Sequence, residues 1–434
     1  MTARGGTRSA RLVLEPTHSM RIYDFLEFYP NPYKPSIDTE IVELLRVGHD
    51  VTVLAEGAYL STLHDAFVEH GLASRTRYYP ATLRNLRAHG GRALASLLKR
   101  PVTQLPRARV VVDGARPAKA NLLAVARTML LPVEAPDLCY VHNIITASRL
   151  PFLRRLYPTA RLCMYFHGGE VAGYARTGGE ADIIRHIDAF VSNTRFSAAQ
   201  FIARGCPPEK MAVIPVGFHL PDYQPTLPRR YRPDGVVRFV SIGRMSSEKG
   251  ILDALQAIKA LWDGGERNFT YRLIGTGRQL AELQAFVQAN GLSTVVSFAG
   301  EKKKREVIAE LDQADALILP SLITDTWAET QAAVVQEALL MGCLTITTIA
   351  GGVPESNAPE MRQFAMPPGD VRQLTDRLRA VLRLAPQDMA GLGVAGRAFA
   401  EQYDIQPLMA RIVAHAMGRL PADDPGWYLP GAAV

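Results

Sequence analysis

The chain has 434 residues, a length that predicts two domains or more. Its composition, 47% apolar and 21% charged, is sufficient to fill folded cores and excludes a disordered chain. The net charge is +7, and no stretch reaches the roughly 18–20 consecutive apolar residues of a membrane span, which excludes an integral membrane protein.

The first 19 residues contain arginines but no apolar core, so they do not resemble a secretory signal, and we expect a loose extension before Met20. The cysteines show neither pairing nor zinc-ligand spacing, which is typical of reduced, structural thiols in a cytoplasmic protein. They are Cys139, Cys163, Cys206 and Cys343.

Short apolar runs alternate with helix-period segments along the whole chain, which predicts parallel sheets with helices on both faces. In the first half the predicted strands are Met20–Phe25, Asp50–Leu54, Asp137–His142, Arg161–Phe166 and Asp188–Ser192. In the second half they are Val237–Ile242, Tyr271–Ile274, Val295–Phe298, Ala316–Leu319 and Leu344–Thr347.

The run from Pro221 to Pro233 holds four prolines without periodicity, which is typical of a linker. The sequence therefore predicts two doubly wound α/β domains, residues 20–222 and 235–403. The last periodic segments, 387–401 and 405–417, are candidates to pack back across the cleft, and we expect residues 404–434 to lie toward the first domain. Ligands of such sheets bind at the carboxyl ends of the strands.

Residues 81–128 carry eight arginines and two lysines against the single acid Asp113, a net charge of +9. The first part is amphipathic, which favours contact with an anionic membrane surface or a lipid diphosphate. The alternative is a solvated basic face on an ordinary helix. Nucleic acid is disfavoured, because the segment lacks the interleaved aromatic side chains of a base-stacking surface.

His167 follows a predicted strand in the first domain, where a histidine can hydrogen-bond a sugar hydroxyl or a phosphate, although a lone histidine is more often purely structural. It begins the run His167-Gly-Gly-Glu170. His142, at the end of the preceding strand, is interpreted as structural or as a support behind the site.

In the second domain Gly243 and Arg244 follow a strand, and Lys249 lies near the start of the next helix, with Ser246 or Ser247 as its expected cap. Arginine grips phosphate oxygens in a bidentate manner, and a helix start adds a favourable field. The pattern predicts a diphosphate site. Gly275, after the next strand, permits close approach of a ligand to the backbone.

Glu337 lies in an otherwise apolar helix, where a carboxylate is costly unless it is hydrogen-bonded. Glu329 precedes it by eight positions, about 12 Å along the axis if fully helical. Two acceptors at this separation suit the hydroxyls of an extended polyol, although structural carboxylates remain an equal alternative. Further on, Gly351 and Gly352 follow a strand and predict either bare amides for an anion or simply a tight turn.

Together these residues resemble the retaining nucleotide-sugar glycosyltransferases of family 4, which have the GT-B fold. The resemblance covers about residues 20–384 and is strongest over 237–370. It implies that Glu329 contacts the hydroxyls of the donor sugar together with Thr330 and Gln331, and that Glu337 binds the ribose. By the same resemblance Arg244 and Lys249 clamp the diphosphate, with Gly243 and Gly275 beside it, and His167 lies near the donor sugar and the acceptor.

The chain departs from the family pattern in three places, one of which is Thr276 in place of the usual acid of the Gly-x-Gly loop. The Gly-Gly after the first strand is missing, and Lys34 is a candidate replacement as an anion contact. After Glu329 the usual Gly-x-Pro is replaced by Thr330-Gln331-Ala332.

No Asp-x-Asp motif occurs, and the resemblance implies transfer without a metal or a tightly bound cofactor, by a mechanism in which the leaving phosphate deprotonates the acceptor. We therefore expect a cytoplasmic, peripherally membrane-bound enzyme of cell-envelope or exopolysaccharide synthesis. Its expected donor is a UDP- or GDP-sugar, and its expected acceptor is a glycan or lipid-linked glycan. The alternatives are a nucleotide-sugar epimerase, a glucan synthase or a non-catalytic nucleotide-sugar-binding protein; no nucleic-acid partner is expected.

Overall fold

A computed structural model describes residues 18–31, 34–60, 63–114, 117–167 and 180–420. The expected extension lies outside these residues except for His18 and Ser19. The run Gly168–Glu170 and the chain after Leu420 also lie outside them.

The first sheet has seven parallel strands in the order β3-β2-β1-β4-β5-β6-β7. Its strands are β1 Arg21–Phe28, β2 Asp50–Gly57, β3 Thr76–Tyr78, β4 Leu138–His142, β5 Arg161–Phe166, β6 Ala189–Ser192 and β7 Met211–Val213. Strand β1 runs three residues beyond its predicted end because its pairing with β2 continues to Phe28 and Gly57. The central strands are buried on both faces, as a parallel sheet covered by helices requires.

The α-helices around this sheet alternate with its strands. They are Pro35–Arg46, Asp65–Glu69, Leu86–Lys99, Pro101–Val111, Ala118–Leu130, Ile144–Arg149, Leu153–Leu156, Glu180–His186 and Arg195–Ile202.

The second sheet has five parallel strands in the order β10-β9-β8-β11-β12. Its strands are β8 Val237–Ile242, β9 Phe269–Ile274, β10 Val296–Phe298, β11 Ala316–Leu319 and β12 Leu344–Thr347. The helices that follow are Ile251–Asp263, Leu280–Ala289, Lys304–Gln313, Ala333–Leu340, Val353–Ser356, Val371–Arg383, Pro386–Ala400 and Ile405–Ala416. Both sheets therefore have the doubly wound α/β architecture that the sequence predicts.

The proline-rich segment between the sheets is fastened to the second sheet. The Arg229 guanidinium donates to the carbonyls of Leu311 and Asp312, each at 3.2 Å. The Tyr231 hydroxyl donates to the Gly342 carbonyl at 2.6 Å. A segment with the composition of a flexible linker is thus packed against the second sheet, because its arginine and tyrosine side chains donate to backbone carbonyls there.

The chain passes between the sheets a second time near Tyr403, directly beside its first passage. The Phe218 amide donates to the Tyr403 carbonyl and the Ile405 amide donates to the Phe218 carbonyl, both at 2.8 Å. A side chain at Gly217 would bring its Cβ within 2.7 Å of the Ile405 Cα, so only glycine permits this approach.

The helix 405–416 then lies on the first sheet, where Arg161 Nε donates to the Ala416 carbonyl at 3.0 Å. The helix 386–400, which the sequence also offers as a candidate to cross back, instead remains on the second sheet against the helix 333–340. Two glycines explain this close packing: Cβ atoms at Gly393 and Gly396 would meet the Gly342 carbonyl oxygen at 2.6 Å and a Leu339 methyl at 2.8 Å.

The basic segment 81–128 forms helices at the edge of the first domain, and two of its arginines are structural. Arg127 is buried and donates to the Pro80 carbonyl at 2.9 Å, and Arg107 donates to the Pro132 carbonyl at 2.7 Å. Large aliphatic side chains of the same helices are exposed, led by Leu98 at 71% and Val102 at 87%. Within the described ranges, no helix has both the length and the apolar character needed to cross a bilayer.

Candidate active site

The carboxyl ends of the two sheets face each other at His167 and Thr330. His167 directly follows β5, and its carbonyl accepts a hydrogen bond from Thr330 Oγ1 at 2.9 Å and from Asn193 Nδ2 at 3.1 Å. The loop containing Thr330 follows β11, so residues predicted from both halves of the sequence meet here. This junction defines the candidate site.

Lys249 and Glu329 form a close ion pair at this junction. The Lys249 ammonium lies 2.6 Å from Glu329 Oε2, which also accepts from the Ser321 hydroxyl at 3.1 Å. The ammonium lies 5.1 Å from the centroid of the Trp327 ring, a cation–π distance. Both charged groups are largely shielded, with 17% and 12% of their side chains exposed, so a ligand entering here meets a desolvated cation and anion.

Arg244 lies on the same side of the second sheet and is much more exposed. Its side chain is 59% exposed, and its guanidinium is 3.5 Å from a carboxylate oxygen of Glu248. Such a weak surface pair leaves the guanidinium available to an anionic ligand.

The helix after β8 begins later than the sequence predicts. Residues Ser247–Lys249 form a single 3-10 turn, and the α-helix begins at Ile251 because Gly250 takes a left-handed φ of +64°. Ser246 does not cap the backbone; its hydroxyl donates to a carboxylate oxygen of Glu248 at 2.7 Å.

Backbone-to-backbone packing fixes the loop of Arg244. A Cβ at Gly275 would lie 2.0 Å from the Gly243 carbonyl oxygen, and one at Gly277 would lie 2.3 Å from the Met245 carbonyl oxygen. A Cβ at Gly250 would likewise lie 2.0 Å from the Pro320 carbonyl oxygen. The glycines that the sequence suggests for ligand approach therefore also hold the loops after β8, β9 and β11 against one another.

Glu337 lies in the helix 333–340, and Glu329 precedes that helix in an extended loop. The condition for a separation of about 12 Å, one continuous helix, is therefore not met, because the helix begins only at Ala333. Glu337 Oε1 accepts from the buried Tyr223 hydroxyl at 2.8 Å, and burial raises the pKa of Glu337. The Lys304 ammonium lies 5.3 Å from the centroid of the Tyr223 ring.

Gly351 and Gly352 support the loop of Glu329 instead of leaving two bare amides. The Gly352 amide donates to the Glu329 carbonyl at 2.8 Å. Cβ atoms at the two glycines would lie 2.1 Å from the carbonyl oxygens of Glu329 and Thr330. The tight-turn alternative thus accounts for the Gly352 amide.

The side chain of Gln331 joins the two domains. Its Oε1 accepts from the Val216 amide at 2.7 Å, and its Nε2 donates to the Val216 carbonyl at 3.0 Å and to Gln336 Oε1 at 2.6 Å. Only 9% of the residue is exposed. The side-chain amide is therefore engaged within the protein, and the predicted contact of Gln331 with the donor is left to its backbone.

His142 stands behind His167 and connects it to a buried carboxylate. His142 Nδ1 lies 2.9 Å from His167 Nε2, and His142 Nε2 lies 3.1 Å from Asp24 Oδ1. Burial and the positive charges of His142 and Lys34 hold the pKa of His167 well below its usual range, so the ring stays neutral. Lys34, the predicted anion contact, is thus close enough to act on the first domain's histidines.

Several residues of the site were not singled out from the sequence: Asp24, Asn193, Tyr223 and Ser321. For Asp24 a signal existed, since a charged residue interrupts the first apolar strand. For Tyr223 there was none, because it lies in the proline-rich run. Within the described part of the chain, no group of three or more His, Cys, Asp or Glu side chains has metal-binding geometry.

Two family models match the chain: one match ends before the proline-rich segment and the other begins within it. The model of a "Glycosyl transferase 4-like domain" matches residues 39–217, and that of "Glycosyl transferases group 1" matches residues 227–393.

Curated relatives span nearly the whole chain. AmsK of Erwinia amylovora, an amylovoran biosynthesis glycosyltransferase, is 26% identical over 420 residues, covering 92% of this chain and all of AmsK. WcaL of Escherichia coli K12, assigned as a glycosyltransferase of colanic acid biosynthesis, is 25% identical over 384 residues, covering 86% of this chain and 93% of WcaL.

Solved structures share the fold at low sequence identity. HepE of Anabaena, crystallised with UDP and glucose, has a TM-score of 0.64 at 17% identity, covering 91% of this chain and 98% of HepE. The lipopolysaccharide outer core galactosyltransferase WaaB has a TM-score of 0.61 at 13% identity, covering 92% of this chain and all of WaaB. The predicted GT-B fold, with two doubly wound domains, is confirmed.

Proposed function

The chain belongs to the glycosyl transferases of group 1, and from this membership we propose that it transfers a sugar from a nucleotide-diphosphate sugar to a glycan or lipid-linked acceptor of an exopolysaccharide or cell-envelope glycan. The relatives AmsK and WcaL, assigned to amylovoran and colanic acid synthesis, support this choice of product. The UDP bound in HepE supports a UDP-sugar as the donor.

The proposal is carried by one observation: the shielded pair Lys249–Glu329 and the exposed Arg244 lie in loops at the same edge of the second sheet. An ionised carboxylate only accepts hydrogen bonds, so Glu329 suits the hydroxyls of the donor sugar. Lys249 and Arg244 supply two positive charges for the diphosphate. Glu337, held by Tyr223, is the matching acceptor for the ribose hydroxyls.

In the proposed reaction the bond between the anomeric carbon and the diphosphate breaks as the bond to the acceptor oxygen forms on the same face. The acceptor hydroxyl gives its proton to an oxygen of the leaving phosphate, and the anomeric configuration is retained. The electron pair of the broken bond stays on the diphosphate, where Lys249 and Arg244 stabilise the developing charge. In this scheme Lys249 and Arg244 take the place of a metal ion as the positive charges that stabilise the leaving diphosphate.

The basic helices of 81–128 support a membrane-bound acceptor. Leu94, Leu98, Val102 and Leu105 are exposed to between 49% and 87% of their surface, a set that we call the aliphatic face. Exposed arginines and lysines accompany it, and each contributes on the order of 1 kcal/mol of attraction to an anionic surface. We propose that this face rests on the anionic leaflet that carries a lipid-linked acceptor.

A thermal-shift panel of UDP-, GDP-, ADP- and dTDP-sugars tests the donor site. A ligand at 100 times its Kd adds about 2.7 kcal/mol of stability. We expect a UDP-sugar to raise the Tm of the wild type and to leave Glu337→Ala unshifted. Equal shifts in both proteins contradict the assigned site, and the absence of any shift at millimolar nucleotide sugar contradicts donor binding by the free enzyme.

A further inference from the structure

A buried row of ionisable groups runs from the interior of the first sheet to the candidate site. Asp24 of β1, His142 at the end of β4 and His167 after β5 are joined by contacts of 3.1 Å and 2.9 Å. Asp24 and His142 are each 1% exposed. The two imidazole rings stack at 5.2 Å with an interplanar angle of 10°, so the row is rigidly oriented.

Among the described residues, titratable or charged groups surround His142 from four elements or their ends. These groups are Asp24 from β1, Lys34 and Glu40 from the start of the first helix, Tyr140 from β4 itself, and Tyr165 and His167 from β5. Burial raises the pKa of Glu40 to about 7, and its Oε2 accepts from the Tyr140 hydroxyl at 3.1 Å.

Asp24 requires a cation beside it. Neither of its buried carboxylate oxygens has a well-aligned hydrogen bond within the described residues, and an unpaired buried carboxylate is costly. Burial opposes a charge on His142, but the carboxylates of Asp24 and Glu40 outweigh it and raise the pKa of His142 above its usual value. A charged His142 is therefore the partner that the buried carboxyl of Asp24 requires.

The protonation state of His142 dictates the tautomer of its neighbour. When His142 is charged, its Nδ1–H donates to His167 Nε2, so the neutral His167 carries its proton on Nδ1. When His142 is neutral, its proton stays on Nε2 toward Asp24. Its Nδ1 then accepts from His167 Nε2–H, and His167 Nδ1 becomes a bare acceptor. No protein partner contacts His167 Nδ1 among the described residues, and the residue is partly exposed at the junction of the domains.

We propose that Asp24 and His142 are positioning residues that hold His167 as an Nδ1–H donor to an oxygen of the bound sugar, and that this donor is lost when His142 is deprotonated. The inference rests on the proposed function, because it assumes that a sugar occupies the cleft. Glu329 and Glu337 offer only hydrogen-bond acceptors to a ligand in the cleft. A neutral N–H donor complements them without competing with Lys249 for the diphosphate.

The test is proton-coupled nitrogen NMR of the full-length protein labelled with 15N-histidine, with the His167 signals assigned from His167→Asn. In the wild type at pH 6.5 we expect the His167 proton on Nδ1, and on raising the pH to 9 we expect it to move to Nε2. In Asp24→Asn the pKa of His142 falls, so His167 already carries its proton on Nε2 at pH 6.5. An unchanged tautomer across both proteins and the whole pH range overturns the proposal.

His142→Asn is the second variant, since it keeps a polar group near the Nδ1 position but cannot titrate. We expect a His167 tautomer that does not respond to pH. Asp38→Asn is the matched control, because Asp38 is a buried carboxylate 2.6 Å from another histidine of the same domain, His64. Its loss should leave the His167 tautomer as in the wild type.

Kinetics separates this proposal from the proposed function. Between pH 6.5 and 9 the wild-type kcat/KM should fall about ten-fold, as expected for one lost hydrogen bond, while His142→Asn should give a flat profile over this range. A tautomer switch in a protein that transfers no sugar contradicts the proposed function alone. Transfer activity with a fixed tautomer contradicts the role of Asp24 and His142 alone.

Discussion

Lys249 and Glu329 lie 80 positions apart in the sequence, yet the ammonium of one is 2.6 Å from the carboxylate of the other. The pairing arises because β8 and β11 are neighbours in the second sheet and their following loops leave the same edge. Each side chain holds the other in place until a ligand arrives. In the proposed reaction Lys249 exchanges this partner for a diphosphate oxygen.

Removing the ammonium tests this pair directly. Lys249→Met should lower kcat by about 10²–10³, because a charge aimed at the leaving group stabilises the transition state more than the ground state. Steady-state kinetics with the donor found by thermal shift measures the change. Lys259→Met is the control, since its partner Asp263 is a surface residue of the helix 251–263, and it should keep wild-type kcat. Similar kcat values for both variants would exclude Lys249 from the chemistry.

Tyr223→Phe should make donor binding more sensitive to acid. The Tyr223 hydroxyl lowers the pKa of Glu337 while burial raises it, so its removal moves that pKa further up. A protonated Glu337 accepts ribose hydroxyls less well. The donor KM of the variant should therefore begin to rise at a higher pH than in the wild type as the pH is lowered, with kcat little changed. Coincident KM–pH profiles would contradict the assignment of Glu337.

Gln331→Ala should destabilise the protein even when no ligand is bound. The change leaves the buried Val216 amide and carbonyl without their side-chain partners, which costs about 1–3 kcal/mol for an unsatisfied group. Urea unfolding measures the loss. Gln363→Ala removes an exposed glutamine of the second domain and should stay within about 0.5 kcal/mol of the wild type. A Gln331→Ala protein as stable as that control would show that the hydrogen bonds between Gln331 and Val216 contribute little to stability.

Gly250→Ala should be strongly destabilising. The new Cβ would lie 2.0 Å from the Pro320 carbonyl oxygen at a left-handed φ of +64°, so backbone on one side must move. We expect a loss of about 2–4 kcal/mol in the free energy of unfolding, together with reduced donor affinity, because Lys249 adjoins the displaced residue. Gly391→Ala is the counterpart: it lies in the helix 386–400 with open space around it and should gain about 0.5–1 kcal/mol.

The aliphatic face should be needed for membrane binding and not for stability. In the double variant Leu98→Ser/Val102→Ser the Tm should stay unchanged, because both side chains already face solvent and no buried packing is lost. Sedimentation with vesicles containing phosphatidylglycerol should show binding weakened about ten-fold or more, since each buried aliphatic side chain contributes about 1.5–3 kcal/mol. Val394→Ser, which is 72% exposed in the second domain, should bind like the wild type. Equal vesicle binding by all three proteins would refute the membrane role.

The sheets were predictable because parallel strands that are buried on both faces appear in the sequence as short apolar runs. The prediction at β8, Val237–Ile242, coincides with the structure. The helix starts were less predictable. At Lys249 a serine near the expected start suggested a cap, but the left-handed Gly250 delays the α-helix, and a single residue's φ is not visible in composition or periodicity.

The side-chain pairings of the site were predictable only in part. The sequence brought Glu329 and Lys249 into one site, yet it gave no sign that Gln331 would turn toward Val216 or that Tyr223 would reach Glu337. Both contacts join segments more than 100 residues apart, and such partners depend on how the two domains face each other. Spacing along the chain carries no information about that orientation.

The two passages of the chain between the domains lie side by side, bonded at Phe218 and Ile405. Two connections at one place form a hinge, about which one domain is expected to rotate against the other. Gln331 binds Val216, only two residues from Phe218, so this contact lies beside that line, whereas the hydrogen bond from Thr330 to the His167 carbonyl joins the facing sheets and must break when the domains separate. In the proposed reaction, release of the product and closure over the next donor should therefore share one axis, and a cross-link between the loops of Thr330 and His167 should block both.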